Sequence, residues 1–279
     1  MSLAWSPWPS TRRPWATEVL IPGSVLSTEQ DLRDKTYKAG LISRILAVFR
    51  VDAVTVFTDV ETNEEDRSLL IELLRYQVTP AHLRRKAYPL KEELRYAGLL
   101  PPLNLPNHEP PLKPYPGLVL DGLVLSRRGE DCEILIGEIG VGRLQGCSEG
   151  PGTVVTVSIT SIERDHITLS RGSWGDLYVG YQVRAGGRLA DEVERLRRHG
   201  FTIIGTSRYG TTNYAVLEAH RGRPLAVVVG GPETGLLEYI NTRAFDVVLN
   251  TVPKQGTRTV RSEEALFSTL AIINAIVSD

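Results

Sequence analysis

Three times in the last third of this chain an apolar strand runs straight into a polar turn that carries glycine, and this repetition restricts the available folds more than any other feature. From Phe245 to Asn274 the chain reads FDVVLNTVPKQGTRTVRSEEALFSTLAIIN. Phe245, Val247, Val248 and Leu249 suit a buried strand, the stretch from Thr251 through Gln255 and Gly256 to Thr257 cannot extend it, and Ser262-Glu263-Glu264 opens a helix with acids in its first turn. From Leu225 to Leu237 the chain reads LAVVVGGPETGLL, an apolar strand followed by Gly230, Gly231, Pro232 and, three residues on, Gly235. Glycines there allow a close backbone approach. Phe201 to Gly210, FTIIGTSRYG, repeats the arrangement with Gly205, Thr206 and Ser207. In open α/β sheets, loops at the carboxyl ends of strands are where ligands bind. Any one of these segments could be an ordinary connection, but three imply a shared pocket. None matches G-x-G-x-x-G or G-x-x-x-x-G-K-[ST], which turns the reading away from dinucleotides and nucleoside triphosphates.

The rest of the chain alternates strand and helix on both sides of a different block. Ile42, Ile45, Leu46 and Phe49 recur at helical spacing, Val51 to Phe57 reads as a buried strand, and Leu189 to His199 reads as a helix with Val193 and Leu196 facing inward. That pattern argues for a mostly parallel sheet. Between these parts, PPLNLPNHEPPLKPYPG from Pro101 carries seven prolines and marks a domain boundary. Beyond it, Leu118 to Leu125, Cys132 to Ile139, Val154 to Ile162 and Ile167 to Ser170 are β-rich runs without a helix between them, as in a small barrel. The expected organisation is an arm over residues 1–16, one discontinuous domain over 17–112 and 175–279, and an inserted all-β domain over 113–174. Trp5, Trp8 and Trp15 in the arm are read as packing on the body or a second subunit in preference to stacking on a nucleic-acid base.

Composition narrows the function by exclusion. The formal net charge is −1, so no global positive field points to nucleic acid and any RNA footprint must be local. Arginine outnumbers lysine 26 to 6, which suits phosphate gripping and base stacking but equally reflects genomic base composition or heat adaptation. Five scattered histidines and only Cys132 and Cys147 give no metal-ligand spacing, so no metal is expected. Two cysteines suit a reducing compartment, with their pairing left open. No signal peptide precedes the first strand, and Ala265 to Val277 is too short and interrupted to span a bilayer, so a cytoplasmic protein away from membranes is expected.

Taken together, the three loops, VLIPGSVLS (Val19 to Ser27), TYKAGLISRILAVFRVDAVTVF (Thr36 to Phe57) and LRRKAYPLKEELRYAGLLPPLNLPNH (Leu83 to His108) resemble the SPOUT superfamily of S-adenosylmethionine-dependent RNA methyltransferases. They are more closely similar to its subfamily with an OB-type barrel inserted in the methyltransferase domain, and the likeness covers nearly everything from Thr17 to Ser278. The resemblance implies a trefoil-knotted α/β sheet, a homodimer whose pockets are completed by the neighbouring subunit, S-adenosylmethionine as cofactor, and an RNA substrate, rRNA or tRNA. It assigns to the cofactor Gly205, Thr206, Ser207, Gly230, Gly231, Pro232, Gly235, Leu249, Asn250, Thr251, Gln255, Gly256, Thr257 and Thr259.

The same likeness nominates catalytic groups. Arg44, in KAGLISRILAVFRVDAV, is similar to the arginine that approaches substrate in the ribose-methylating branch, although an arginine among apolar neighbours also serves as a structural partner. Arg258 and Arg261 lie where guanidinium forks could hold a phosphate or a deprotonated base. Glu263 is a candidate proton acceptor, against the plainer role of an acid in a first helical turn. Where the ribose-methylating branch has S-L-N-V-S, this chain has Thr259-Val260-Arg261-Ser262-Glu263. Its GTRTVRSEEA instead resembles the R-I-L-R-T-E-T-A run of enzymes that methylate the ring nitrogen of uridine, so a base nitrogen is favoured over ribose. The alternative is a non-catalytic RNA-binding or assembly protein that keeps the fold. The inserted barrel has no Phe, Tyr or Trp between Pro116 and Ser173 and holds six Lys or Arg against eight Asp or Glu over 113–174. It is therefore read as gripping phosphate through Arg127, Arg128, Arg143 or Arg164, or as a spacer. Arg84, Arg85, Lys86 and Lys91 form a further basic cluster, as do Arg195, Arg197 and Arg198.

Overall fold

The computed structural model describes residues 8–109, 113–163 and 166–277; Trp5 and Arg164 lie outside them. The described residues form two compact units. One, from the described residues among 13–77, 92–103 and 180–279, holds a six-stranded sheet. Its strands are β1 (Thr17–Pro22), β2 (Ala53–Thr58), β8 (Gln182–Arg188), β9 (Thr202–Thr211), β10 (Leu225–Val228) and β11 (Val247–Leu249) in the order β11-β9-β10-β1-β2-β8. Every pairing is parallel. Such sheets are buried on both faces and read as continuous apolar runs, and every residue of β1 and β10 is buried.

Leu20, Phe57, Ile203, Ala226 and Val228 share one core cluster with Leu189, Val193 and Leu196 of helix α4 (Leu189–Arg198) and with Leu236 and Phe245. Their neighbours Val19, Ile21, Val54, Val56, Ile204 and Val227 point to the opposite face and are equally buried. Helices α1 (Leu32–Val48), α2 (Glu64–Val78) and α6 (Ser262–Val277) also belong to this unit, and α1 packs against α6. From β9 the chain steps to β10 on one side, then returns across β9 to pair β11 on the other. That reversal is the switch point at which open α/β sheets form a crevice.

One expectation needs correction. The Gly205–Gly210 stretch, read as a loop, is the second half of β9, which runs on to Thr211. A shift of register after Val248 lets Leu249 pair with Thr211. The Asn250 amide donates to the Thr211 carbonyl at 2.9 Å, and a Cβ on Gly210 would lie 2.5 Å from the Leu249 carbonyl carbon. The glycine therefore permits two backbones to meet inside the sheet instead of breaking it.

The second unit comprises the described residues among 1–12, 78–91 and 104–179. It is a closed barrel of β3 (Val119–Arg128), β4 (Asp131–Leu135), β5 (Val141–Gln145), β6 (Val154–Glu163) and β7 (His166–Arg171) in the order β3-β4-β5-β7-β6, with helix α3 (Ala81–Ala87) packed against β3. The single run expected over Cys132 to Ile139 is a strand only as far as Leu135, and a further strand, β5, follows where none was expected. Gly137 and Gly140 adopt φ of 66° and 124°, and this left-handed backbone turns the chain between β4 and β5. β5 buries only Gly142 and Leu144, too weak an alternation to read as a strand. Cys132 and Cys147 form a buried disulfide that ties β4 to the residues after β5. Trp8, on the described part of the arm, is 70% exposed, so its ring is not packed as expected within this chain.

A buried polar knot joins α3 and residues 104–109 to the barrel. Asp121 accepts from Asn107 Nδ2 at 2.7 Å, Thr156 Oγ1 at 2.7 Å and Trp174 Nε1 at 2.9 Å, while His108 Nε2 lies 3.1 Å from the Val78 carbonyl. Burial pushes the His108 imidazole down to about 4 and also lowers that of His82. The unfolded chain therefore binds protons that the fold rejects, and stability is undiminished above the free imidazole range near 6.5 and falls as pH drops toward about 4. Denaturant titrations between pH 7 and 4 should show this loss, on the order of 3 kcal/mol for His108, and His108→Gln should flatten it.

Candidate active site

The carboxyl ends of β9, β10 and β11 surround one cleft of about 270 Å³, close to the lower end of the range for small-molecule sites, roughly 300–1,000 Å³. Its first wall is the tip of β9. Thr206 is buried with its hydroxyl donating to the Val228 carbonyl at 3.1 Å, and Ser207, Arg208 and Tyr209 follow along the rim. The second wall is the turn after β10, from Val229 to Gly235, which leads into helix α5 (Leu236–Tyr239). The third is the segment after β11, where Leu249, Asn250, Thr251, Val252, Gln255, Arg258, Thr259 and Val260 face the same space.

Polar locks hold the three walls together. Asn250 Nδ2 donates to the Arg208 carbonyl at 2.9 Å, and Tyr214 Oη donates to the Asn250 carbonyl at 2.8 Å. Thr251 Oγ1 lies 2.9 Å from Ser268 Oγ and 3.1 Å from Thr269 Oγ1 on α6. Ser262, the first residue of α6, donates from Oγ to the Gly230 carbonyl at 2.9 Å and lines the cleft. The glycines of the second wall are small because protein atoms crowd them. A Cβ on Gly230 would lie 2.9 Å from the Leu236 amide nitrogen, and one on Gly231 would meet Tyr239 Oη at 2.3 Å. Burial, with Asp59 and Glu61 nearby, pushes that tyrosine hydroxyl upward, so it stays neutral.

Of the residues nominated for the cofactor, Thr206, Ser207, Gly230, Gly231, Pro232, Gly235, Leu249, Asn250, Thr251, Gln255 and Thr259 share this cleft. Gly205, Gly256 and Thr257 do not line it. Gly205 sits beneath Phe245 and Leu236 inside the sheet. Gln255 Nε2 donates to the carbonyls of Thr257 and Arg258, folding the turn so that Gly256 faces open space. Among the nominated catalytic groups only Arg258 reaches the cleft. Arg44 donates from Nη1 to the carbonyls of Pro102 and Leu103, both at 3.0 Å. Arg261 Nη1 lies 3.5 Å from Glu29 Oε1. Glu263 is buried with Oε2 3.5 Å from Lys38 Nζ, and this nearly inaccessible lysine also reaches Thr28 Oγ1 at 2.6 Å.

Sequence reasoning passed over Arg208, Tyr209, Glu233 and Glu238, which also line the cleft. Glu233 stands in the quoted GGPETG turn, and Tyr209 in the quoted FTIIGTSRYG; their offset from a strand end was the available signal. The carboxylates that reach this space are thus Glu233 and Glu238, not Glu263. Among the described residues no group of three or more His, Cys, Asp or Glu side chains is placed to hold a metal ion, and no described helix is long and apolar enough to cross a membrane.

Residues 16–273 match the family described as "Putative RNA methyltransferase", and the chain belongs to that family. An uncharacterized protein of Halobacterium salinarum is 31% identical over 90% of this chain and 96% of its own length. The human 28S rRNA (uridine-N(3))-methyltransferase is also 31% identical, over 94% of this chain and 78% of its own. Among solved structures, the SpoU methyltransferase AviRb from Streptomyces viridochromogenes, in complex with AdoMet, matches 96% of this chain and 60% of that chain at 11% identity and a TM-score of 0.39.

If the three walls form the cofactor pocket, bulk inside it must block binding and bulk beside it must not. Calorimetry with S-adenosylhomocysteine should show Ser207→Trp weakening binding at least about 100-fold, equivalent to roughly 2.7 kcal/mol. Gly256→Trp, which projects into open space, should leave it within about threefold.

Proposed function

We propose that this protein transfers a methyl group from S-adenosylmethionine to the N3 ring nitrogen of a uridine in ribosomal RNA. The observation that carries this reading is the single cleft built by three strand ends, with the Arg258 side chain on its wall, in a chain of an RNA methyltransferase family. The uridine-N3 assignment draws on the relatives that bear that name and on the GTRTVRSEEA run.

The cleft's chemistry suits the cofactor. Leu249, Val252, Val260 and Ala265 offer an apolar surface for an adenine ring, main-chain groups line the turns, and Glu233 and Glu238 stand opposite in charge to a sulfonium and an ammonium. When bound, the cofactor supplies an electrophilic methyl group on a sulfonium sulfur. The chain's own contribution is to hold uridine in line and to favour loss of its imino proton. Arg258, exposed and without an ion pair among the described residues, can lower the cost of the anionic base. Glu233, Glu238 or water would accept the imino proton that N3 gives up in exchange for the methyl group.

We infer a homodimer from the same unit. Helices α1 and α6 pack together, Phe49 and Phe267 meet edge to face at 5.4 Å, and Val48 and Phe267 each remain 52% exposed. A half-exposed apolar seam of this kind suits a second copy. We assign methyl transfer to the discontinuous domain over 17–112 and 175–279 and the inserted barrel to 113–174, although the described residues among 78–91 and 104–112 of the former lie in the compact unit of the barrel, and place the protein in the cytoplasm with its RNA. The barrel's disulfide is compatible with that setting because both sulfurs are buried away from soluble thiols.

Incubation with labelled S-adenosylmethionine and ribosomal RNA from cells lacking the protein, followed by nucleoside mass spectrometry, should yield N3-methyluridine. A 2′-O-methylated product would overturn the base assignment, and no incorporation would favour a non-catalytic RNA-binding protein. Arg258→Ala should lower kcat at least about tenfold with S-adenosylhomocysteine affinity retained. Light scattering should show Phe267→Asp shifting the protein from dimer to monomer.

A further inference from the structure

Tyr209 is 76% exposed on the rim of the cleft. Its placement is not the looseness of a mobile tip. Its own amide donates to Ser207 Oγ at 3.2 Å, the preceding carbonyl accepts from Asn250 Nδ2 at 2.9 Å, and the following Gly210 is pressed against the Leu249–Asn250 backbone. A rigid strand end thus presents an aromatic ring to solvent. The Arg208 guanidinium lies 5.0 Å from the ring centroid, and neither Arg208 nor Arg258 has an ion pair among the described residues, although both line the same cleft.

We propose that Tyr209 is the stacking platform for an unpaired RNA base at the mouth of the cleft, with Arg208 gripping the adjoining phosphate. This rests on the RNA methyltransferase reading and adds the residues that receive the strand. An exposed ring beside an unpaired guanidinium group is how single-stranded nucleic acid is held without sequence readout. A protein partner fits less well. The residues that follow Tyr209 are Gly210, Thr211, Thr212 and Asn213, with no apolar side chain to extend the ring into an interface core. The barrel strands offer no equivalent ring, because there is no Phe, Tyr or Trp between Pro116 and Ser173. Stacking is therefore a task of the sheet unit, beside the reacting atoms.

The test uses the full chain and a labelled single-stranded oligouridylate of about 12 nucleotides, longer than the smallest single-strand sites of about four nucleotides. Fluorescence anisotropy should show Tyr209→Ala weakening binding about tenfold, the scale of one lost stack, with Tyr209→Phe and Tyr209→Trp near wild type. Arg208→Ala should reduce the salt dependence by about one counterion. S-adenosylhomocysteine affinity and dimer mass should be unchanged in all four variants. The proposal is overturned if wild type does not bind the oligonucleotide, if Tyr209→Ala binds it normally, or if the variant loses cofactor affinity or dissociates, since the ring would then serve the adenosine or the subunit contact. Methyl incorporation by wild type is scored separately. If it occurs while Tyr209→Ala binds RNA normally, only the platform fails; if it is absent while the variant loses RNA binding, only the methyl-transfer reading fails.

Discussion

The site depends on the meeting of β9 and β11 beyond the regular sheet. β9 continues through Gly205 and Gly210 to Thr211, and the register shift at Leu249 brings Asn250 alongside it. Asn250 then serves both sides, accepting at its carbonyl from Tyr214 and donating through its amide side chain to Arg208. Without that junction the tip of β9 and the segment after β11 would be two unrelated loops. With it, and with Ser262 tied to the Gly230 carbonyl, three stretches separated by tens of residues become one rigid cleft. Rigidity matters because methyl transfer requires an in-line geometry that flexible loops hold poorly.

Charge is arranged around this cleft in two different ways. Behind it, groups are buried and paired: Lys38 lies within 3.5 Å of Glu263 and within 3.4 Å of Glu29, and Glu18 accepts from Thr55, Arg184 and Arg195. Removing one partner from such a set leaves an uncompensated buried charge, so these groups are fixed parts of the framework. At the rim, Arg208 and Arg258 have no such partners among the described residues and keep their donors for an incoming anion. The contrast separates framework arginines from binding arginines better than sequence position does. Arg44, Arg258 and Arg261 look alike as letters, yet Arg44 spends its donors on two backbone carbonyls.

Much of this was legible beforehand. The parallel sheet followed from the alternation of strand and helix, and the three strand-end segments were recognisable because polar and glycine-bearing turns interrupt apolar runs. The barrel followed from short β-rich runs, except for β5, whose single buried leucine leaves almost no periodic signal. What the sequence withheld was direction. It could not show that Gly205 and Gly210 accommodate packing inside a strand, that Gly256 faces outward, or that Glu233 and not Glu263 faces the cleft, because these depend on which neighbour occupies the adjacent space. Tyr209 escaped notice for a related reason: within a stretch read as a glycine-bearing loop its letter does not say where the ring goes, and only burial distinguishes a packed ring from a presented one.

A crystal structure of the protein with S-adenosylhomocysteine tests the central claim most directly. The account predicts the ligand between the tip of β9, the Val229 to Gly235 turn and the Leu249 to Val260 segment, with the walls unmoved because their locks are already formed. Ligand bound elsewhere, or a cleft that opens only by breaking the contacts of Asn250 and Ser262, would contradict it.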